Sequence, residues 1–286
     1  MENSKLIVIV GPTASGKSNL AVRLAKEFNG EVISADSGQV YRGMDIGTGK
    51  ITGKEMRGIP HHLLDVVSPK IRFTVAQYRR LALETIGKIL GKGKIPILCG
   101  GTGFYIQTVI DGITIPEVKP DWKLRAGLGQ LTTDELFKKL KKLDPRRAKT
   151  IDRFNPRRLI RAIEIVIKTK KPVPRLRQGF GLRLNEVGGQ AYPVLMIGLK
   201  LPKNELRKRI EQRVEKMLKL GLEKEAKKFS LPIIGYQEWS SPNPKDLIIR
   251  HTIQYAKRQI TWFKRDKRIF WIKNYKEAQK LTKQFL

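Results

Sequence analysis

The sequence holds one cysteine, Cys99, which excludes an internal disulfide framework and any cysteine-based zinc or iron–sulfur site. Cys99 lies in an apolar stretch and reads as a buried thiol. Histidine is nearly as scarce. Two of the three, His61 and His62, are adjacent, which is poor spacing for joint metal ligation, so structural roles are expected for them and for His251. Long hydrophobic runs are missing too. Leu6–Val10 falls far short of the roughly 20 residues a membrane span needs, and it runs into a glycine loop instead of a signal-peptide cleavage site. A soluble, cytoplasmic protein with no membrane partner is expected. Acidic residues are also few: 26 Asp and Glu face 58 Lys and Arg, a formal charge of +32 over 286 residues. Such an excess calls for a polyanionic partner, and nucleic acid is the first candidate. Hydrophobic residues still make up 40%, enough for a packed core and too many for wholesale disorder.

The chain falls into three stretches. In residues 5–115, short apolar runs at 6–10, 32–35 and 95–99 read as buried parallel strands, with helices at 18–28 and 74–90 between them. From 116 to 190 the strands vanish. Helices are predicted at 133–143, 144–151 and 156–169, with start signals at Thr133, Asp144-Pro145 and Asn155-Pro156, and 179–189 reads as a loop. An apolar strand returns at 192–199, followed by helices at 203–218 and 246–264 and a last strand at 269–272. Trp262 and Phe263 fall on the final helix as core residues. The expected architecture is α/β: a P-loop NTPase-like parallel sheet core (1–115 and 191–286) with an inserted all-helical domain (116–190).

Between the first strand and first helix stands Gly11-Pro12-Thr13-Ala14-Ser15-Gly16-Lys17-Ser18, which matches G-x-x-x-x-G-K-[ST] in the context a nucleotide-binding P-loop requires. Its backbone N–H groups and the helix N-terminus favour phosphate, Lys17 supplies a point charge, and the Ser18 hydroxyl can ligate Mg²⁺. NTP hydrolysis also wants a carboxylate at the end of a second strand, and 95–99 ends instead in Gly100-Gly101-Thr102. Asp36, after the strand at 32–35, should face the P-loop together with Thr102, because ligands bind at the carboxyl ends of such strands. Position alone leaves Asp36 open as a metal ligand, a general base or a turn residue.

Eight segments in order resemble the tRNA dimethylallyltransferases. They are the P-loop, Asp36-Ser37-Gly38-Gln39-Val40-Tyr41-Arg42-Gly43-Met44-Asp45-Ile46-Gly47-Thr48, His61-His62-Leu63-Leu64-Asp65 and Gly100-Gly101-Thr102-Gly103-Phe104-Tyr105, followed by Pro156-Arg157-Arg158-Leu159-Ile160-Arg161-Ala162-Ile163-Glu164, Arg209-Ile210-Glu211-Gln212-Arg213-Val214, Ile234-Gly235-Tyr236 and Arg258-Gln259-Ile260-Thr261-Trp262-Phe263. The resemblance implies transfer of a dimethylallyl group from dimethylallyl diphosphate to N6 of the adenine 3′-adjacent to the anticodon, in tRNAs reading codons that start with U. Diphosphate would then be the leaving group, held by the P-loop and Mg²⁺, which accounts for the incomplete hydrolytic machinery. The resemblance further implies Asp36 as the base, Thr102 in the reaction channel and Arg213 as a second cation on the diphosphate. As tRNA contacts it implies Asp36, Ser37, Gly38, Gln39, Thr102, Arg125, the segment Arg157, Arg158, Leu159, Ile160 and Arg161, and Gly235 and Tyr236; Tyr236 reads equally as a core aromatic. The sequence departs from the family pattern at Ser18, where threonine is common, at Gly49, which interrupts a Gly-Thr-Ala-Lys run, and in a short 228–234 segment. With no C-terminal Cys/His finger in the sequence, the bacterial form is expected, as a monomer.

Sixteen Lys and Arg between 138 and 177 face only Asp144, Asp152 and Glu164, so the insertion is the expected seat of RNA binding. The lysines of 138–142 read equally as a solvated helix face. Three rival readings explain less. A small-metabolite kinase leaves the basic insertion without a role, a nucleic-acid ATPase lacks its second carboxylate, and an adenylate isopentenyltransferase has no need of so much positive charge.

Overall fold

A computed structural model describes residues 4–113, 116, 118–174, 182–183, 191–229 and 231–286. The chain divides into two compact units, residues 1–112 with 179–286 and residues 113–178.

The first unit is built on strands β1 (Leu6–Val10), β2 (Gly30–Ser34), β3 (His61–His62) and β4 (Ile95–Gly100), with β7 (Val194–Leu199) and β8 (Ile269–Ile272) added after a short antiparallel pair, β5 (Leu182–Arg183) and β6 (Ala191–Tyr192). The six-stranded sheet has the order β3-β2-β4-β1-β7-β8, and its pairings are parallel. Alternate residues of β1 explain why the strand is apolar throughout. Leu6, Val8 and Val10 join one core with Tyr78, Ile86 and Phe263, whereas Ile7 and Ile9 join another with Leu20, Leu24 and Ala278. Both faces are covered, so neither side of the strand tolerates a polar residue.

Helices α1 (Lys17–Glu27), α2 (Gly53–Met56), α3 (Val75–Gly91) and α4 (Gly103–Ile110) belong to the first half of this unit. The second half adds α9 (Lys203–Lys219), α10 (Leu222–Ala226), α11 (Pro244–Phe263) and α12 (Tyr275–Phe285), with a 3₁₀ turn at Gln237–Ser240. The two-residue β3 and the helices α2, α4 and α10 escape sequence periodicity. Most are too short to show a repeat, and α4 is apolar nearly all round because Tyr105, Ile106, Val109 and Ile110 are buried. By contrast α12, though not expected, does carry an apolar stripe through Ala278, Leu281 and Phe285. Of the loop expected at 179–189, Leu182–Arg183 forms a strand and the rest lies outside the described residues.

The second unit contains α5 (Trp122–Gly129), α6 (Thr133–Leu143), α7 (Pro145–Ala148) and α8 (Pro156–Thr169), packed around Leu128, Leu136, Leu140, Leu159 and Ile163. Its start signals are local. Asp144 caps α7 and Asn155 caps α8, each followed by proline at the first helical position, while the cap of α6 is Thr132, one residue before the expected Thr133. Among the described residues no helix is long and apolar enough to cross a membrane.

Candidate active site

The P-loop bends where β1 ends and α1 begins. Gly16 takes φ +92° there, a conformation that side chains rarely adopt, and so serves as the N-cap of α1. The Lys17 ammonium donates to the Pro12 carbonyl at 3.3 Å. Burial lowers its pKa from the usual lysine range; Cys99 and Asp36 oppose that shift and Arg213 adds to it. Among the described residues the buried Ser15 hydroxyl has no hydrogen-bond partner, and Ser18 is exposed in the first turn of α1. Arg209, from α9, donates to the Ser15 carbonyl at 3.4 Å and pairs with Glu205 at 2.6 Å. The loop thus presents amides, hydroxyls and cations together.

Asp36 follows β2 at the same end of the sheet. Its Oδ1 accepts from the Gly38 N–H at 2.9 Å and from the Gln39 N–H at 3.4 Å, which orients the carboxylate through its own turn. Oδ2 makes no hydrogen bond among the described residues. Thr102, at the start of α4, accepts from the Ser37 N–H at 3.0 Å and donates to the Ser37 hydroxyl at 3.3 Å, so the loops after β2 and β4 are tied together. Cys99, near the end of β4, is buried, and burial pushes its thiol up to about 12.

Arg213 reaches this site from α9. Its Nη2 donates to the Thr48 carbonyl at 2.9 Å, and desolvation lowers the guanidinium pKa against the opposing pull of Asp36 and Glu55. Gly49 makes room for it. A Cβ at that position, where φ is +56°, would stand 2.1 Å from Nη2. Gln39 donates to the Gly49 carbonyl at 3.4 Å and accepts from the Ser34 hydroxyl. The stretch of backbone leading to Gly49 is fixed from behind by Glu225. Its carboxylate accepts N–H bonds from Asp45, Ile46 and Gly47 at 2.9–3.1 Å and a hydroxyl bond from Tyr236 at 2.6 Å. Tyr236 is therefore a buried residue whose polar tip is committed to Glu225, and the Gly235 N–H is committed to Glu238.

Gln259 of α11 stands in the last of the eight family-like segments without an expected role. It accepts from the Thr13 N–H at 2.8 Å and donates to the Gly101 carbonyl at 2.9 Å, clamping the P-loop to the end of β4. A signal was available: Gln259 is polar on the buried helix face that carries Ile248, Ala256 and Phe263. The helix does place Phe263 in the core, with Trp262 packed against it.

In the second unit the basic residues separate into two kinds. Arg125 grips Glu164 through two bonds of 2.8 and 2.6 Å, and Arg161 binds the same carboxylate at 2.5 Å and the Val118 carbonyl at 3.0 Å. These hydrogen bonds hold the Glu164 carboxyl at about 2 even though burial acts to raise it. Leu159 is fully buried, so its side chain serves packing. Arg157 and Arg158 are exposed, as are Lys138, Lys139, Lys141 and Lys142, and Ile160 is half-buried.

A model of the family described as IPP transferase matches residues 39–266. The tRNA dimethylallyltransferase of Thermoanaerobacter sp. (strain X514) is 41% identical over 310 residues, covering 99% of this chain and 97% of its own length. That of Halothermothrix orenii is 39% identical and covers 100% and 94%. Among solved structures, the full-length tRNA isopentenylpyrophosphate transferase of Bacillus halodurans superposes with a TM-score of 0.69 at 38% identity, covering 98% of this chain and 94% of its own. A eukaryotic dimethylallyltransferase acting on tRNA gives a TM-score of 0.76 at 30% identity over 91% of this chain and 69% of its own.

Proposed function

The chain belongs to the IPP transferase family, and on that premise we propose that it transfers a dimethylallyl group from dimethylallyl diphosphate to N6 of the adenine 3′-adjacent to the anticodon of tRNAs reading codons that start with U. The observation carrying this reading is that Asp36 follows β2 at the P-loop end of the sheet, where its charge acts on both Lys17 and Arg213 and that of Arg213 acts on Lys17. The carbon–oxygen bond of the donor breaks with its electron pair passing to the diphosphate. Lys17, the P-loop amides and Arg213 stabilise the charge that develops there in this reading. N6 forms the new bond to carbon and gives its proton to Asp36. The exocyclic amine is a weak nucleophile because its lone pair is delocalised into the ring, so base assistance worth about 10²–10⁴ in rate is required. Thr102, already bonded to Ser37, can turn its hydroxyl to phosphate or adenine.

Magnesium fits this donor set. No group of three or more His, Cys, Asp and Glu gathers among the described residues, but a hard cation that keeps most of its water needs few protein oxygens. The exposed Ser18 hydroxyl would hold the ion beside the diphosphate, where it would neutralise leaving-group charge. The excess positive charge of the second unit supports an RNA substrate over a free nucleotide, and tRNA places the protein in the cytoplasm.

Incubation of the protein with labelled dimethylallyl diphosphate, Mg²⁺ and either unmodified tRNA or AMP tests the reading. Label is expected on tRNA alone. Label on AMP and not on tRNA, or ATP turnover without transfer, overturns it. Asp36→Ala should lose at least about 10²-fold in single-turnover rate without abolishing tRNA binding.

A further inference from the structure

Phe154 is 77% exposed, more than any other large apolar side chain described. It stands in the turn before α8, and that turn is hydrogen-bonded within itself. Asp152 Oδ1 accepts the Phe154 N–H at 3.2 Å, the Asp152 carbonyl accepts the Asn155 N–H, and Asn155 caps the helix. The ring thus projects into solvent from a hydrogen-bonded turn. Arg153 lies between two aromatic rings, its guanidinium carbon 5.1 Å from the Phe154 centroid and 5.3 Å from that of Phe137. The exposed Arg157 and Arg158 follow within the first turn of α8.

An isolated exposed apolar side chain needs no explanation. This one carries a guanidinium against its ring and is followed in sequence by two exposed arginines. Arg153 pairs with Asp134 at 3.5 Å and Arg158 with Asp152 at 3.9 Å, at the edge of ion-pair range. The combination selects its partner. A flat π-face beside several positive charges matches an unpaired nucleotide, which offers a base to stack and a phosphate to pair. A membrane surface would ask for a broader apolar face, and an acidic peptide would need no aromatic platform. We infer that Phe154 is a stacking platform for an unpaired base of the RNA substrate, with Arg153 orienting the ring and Arg157 and Arg158 holding the adjoining phosphates. The inference rests on the tRNA reading above and adds to it an interaction that is not electrostatic.

That difference supplies the test. Binding of a fluorescently labelled anticodon stem-loop to the full chain is measured by anisotropy across a salt series. Phe154→Ala and Phe154→Leu should each weaken binding about tenfold, and Phe154→Trp should hold or improve it. The salt slope should stay that of the wild type in all three, because stacking releases no counterions. Arg157→Gln with Arg158→Gln should instead flatten the slope, by about 0.7 for each single-strand phosphate that is no longer neutralised. Since the ring is exposed, these variants are expected to keep the wild-type melting temperature. Wild-type affinity in Phe154→Leu refutes stacking, because leucine keeps the apolar surface and removes only the π-face. A flattened slope in Phe154→Ala also refutes it, since the ring would then act through the arginines. Vesicles of anionic lipid that bind wild type but not Phe154→Ala would assign the residue to a membrane instead. Failure of the tRNA reading itself is distinguishable: the wild-type chain would bind no stem-loop before any variant is made.

Discussion

Replacing Gly49 by alanine separates a cost in stability from a cost in catalysis. Gly49 sits at φ +56°, where an L side chain costs about 1–2 kcal/mol relative to glycine. The new Cβ would stand 2.1 Å from Arg213 Nη2 and 2.6 Å from Cζ, yet 3.1 Å from the nearest other atom, Met217 Cε. The colliding group is the tip of a long side chain, so it can swing away without disturbing the fold. The melting temperature should therefore fall by only a few degrees, at about 2–4 °C per kcal/mol.

The family pattern carries alanine at this position. In this chain the backbone stands at φ +56° with Arg213 packed directly over it, so here the guanidinium does not survive the change in place. To reach ordinary contact it must retreat by roughly 1 Å, which abandons the Thr48 carbonyl and the proposed contact with the diphosphate, and a misplacement of that size can cost about 10²-fold. Removing a preorganised charge donor outright costs about 10²–10³ in turnover. Gly49→Ala should thus approach Arg213→Ala in single-turnover transfer rate, measured with labelled dimethylallyl diphosphate and excess tRNA. Because both changes remove one interaction, the double variant should be no slower than Arg213→Ala. A Gly49→Ala enzyme within about threefold of wild type, or rate losses that multiply in the double variant, would show that Gly49 does not seat Arg213.

Glu225→Gln leaves one acceptor oxygen for three backbone N–H groups and a tyrosine hydroxyl, so it should destabilise the chain by about 1–3 kcal/mol and lower the transfer rate less than Arg213→Ala does; thermal melts and single turnovers check both. The Glu164 carboxyl is held at about 2, below its ordinary 4.5, so its stabilising contribution is present above pH 4.5 and is lost as pH falls toward 2. Glu164→Gln should accordingly melt below wild type at neutral pH, and the difference should close through that window in a pH series of melts. Affinity for tRNA should fall steeply with salt while affinity for dimethylallyl diphosphate falls much less, and equal slopes in titrations of the two ligands would refute a separate RNA-binding surface.

The parts of the molecule legible in the sequence are those written within a few residues. The P-loop spacing, the caps at Asp144 and Asn155 and the fully apolar strands each state their conformation locally. What was not legible closes over distance. Gln259 meets Thr13 across 246 positions, and Glu225 meets Asp45 across 180, so no spacing rule reaches either contact. The same limit misleads a count of charge. Arg125 and Arg161 enter the excess of basic residues on equal terms with Arg157, yet both are bound to Glu164 inside the second unit. Glu164 could have given warning, because it is an acid among the buried Leu159, Ala162, Ile163 and Val166 of one helix, and such an acid requires cationic partners to remain charged there. The net charge of +32 therefore overstates the surface available to phosphate. With the proposed RNA surface at the start of α8, the salt slope should follow the exposed cations there and not the net charge of the chain.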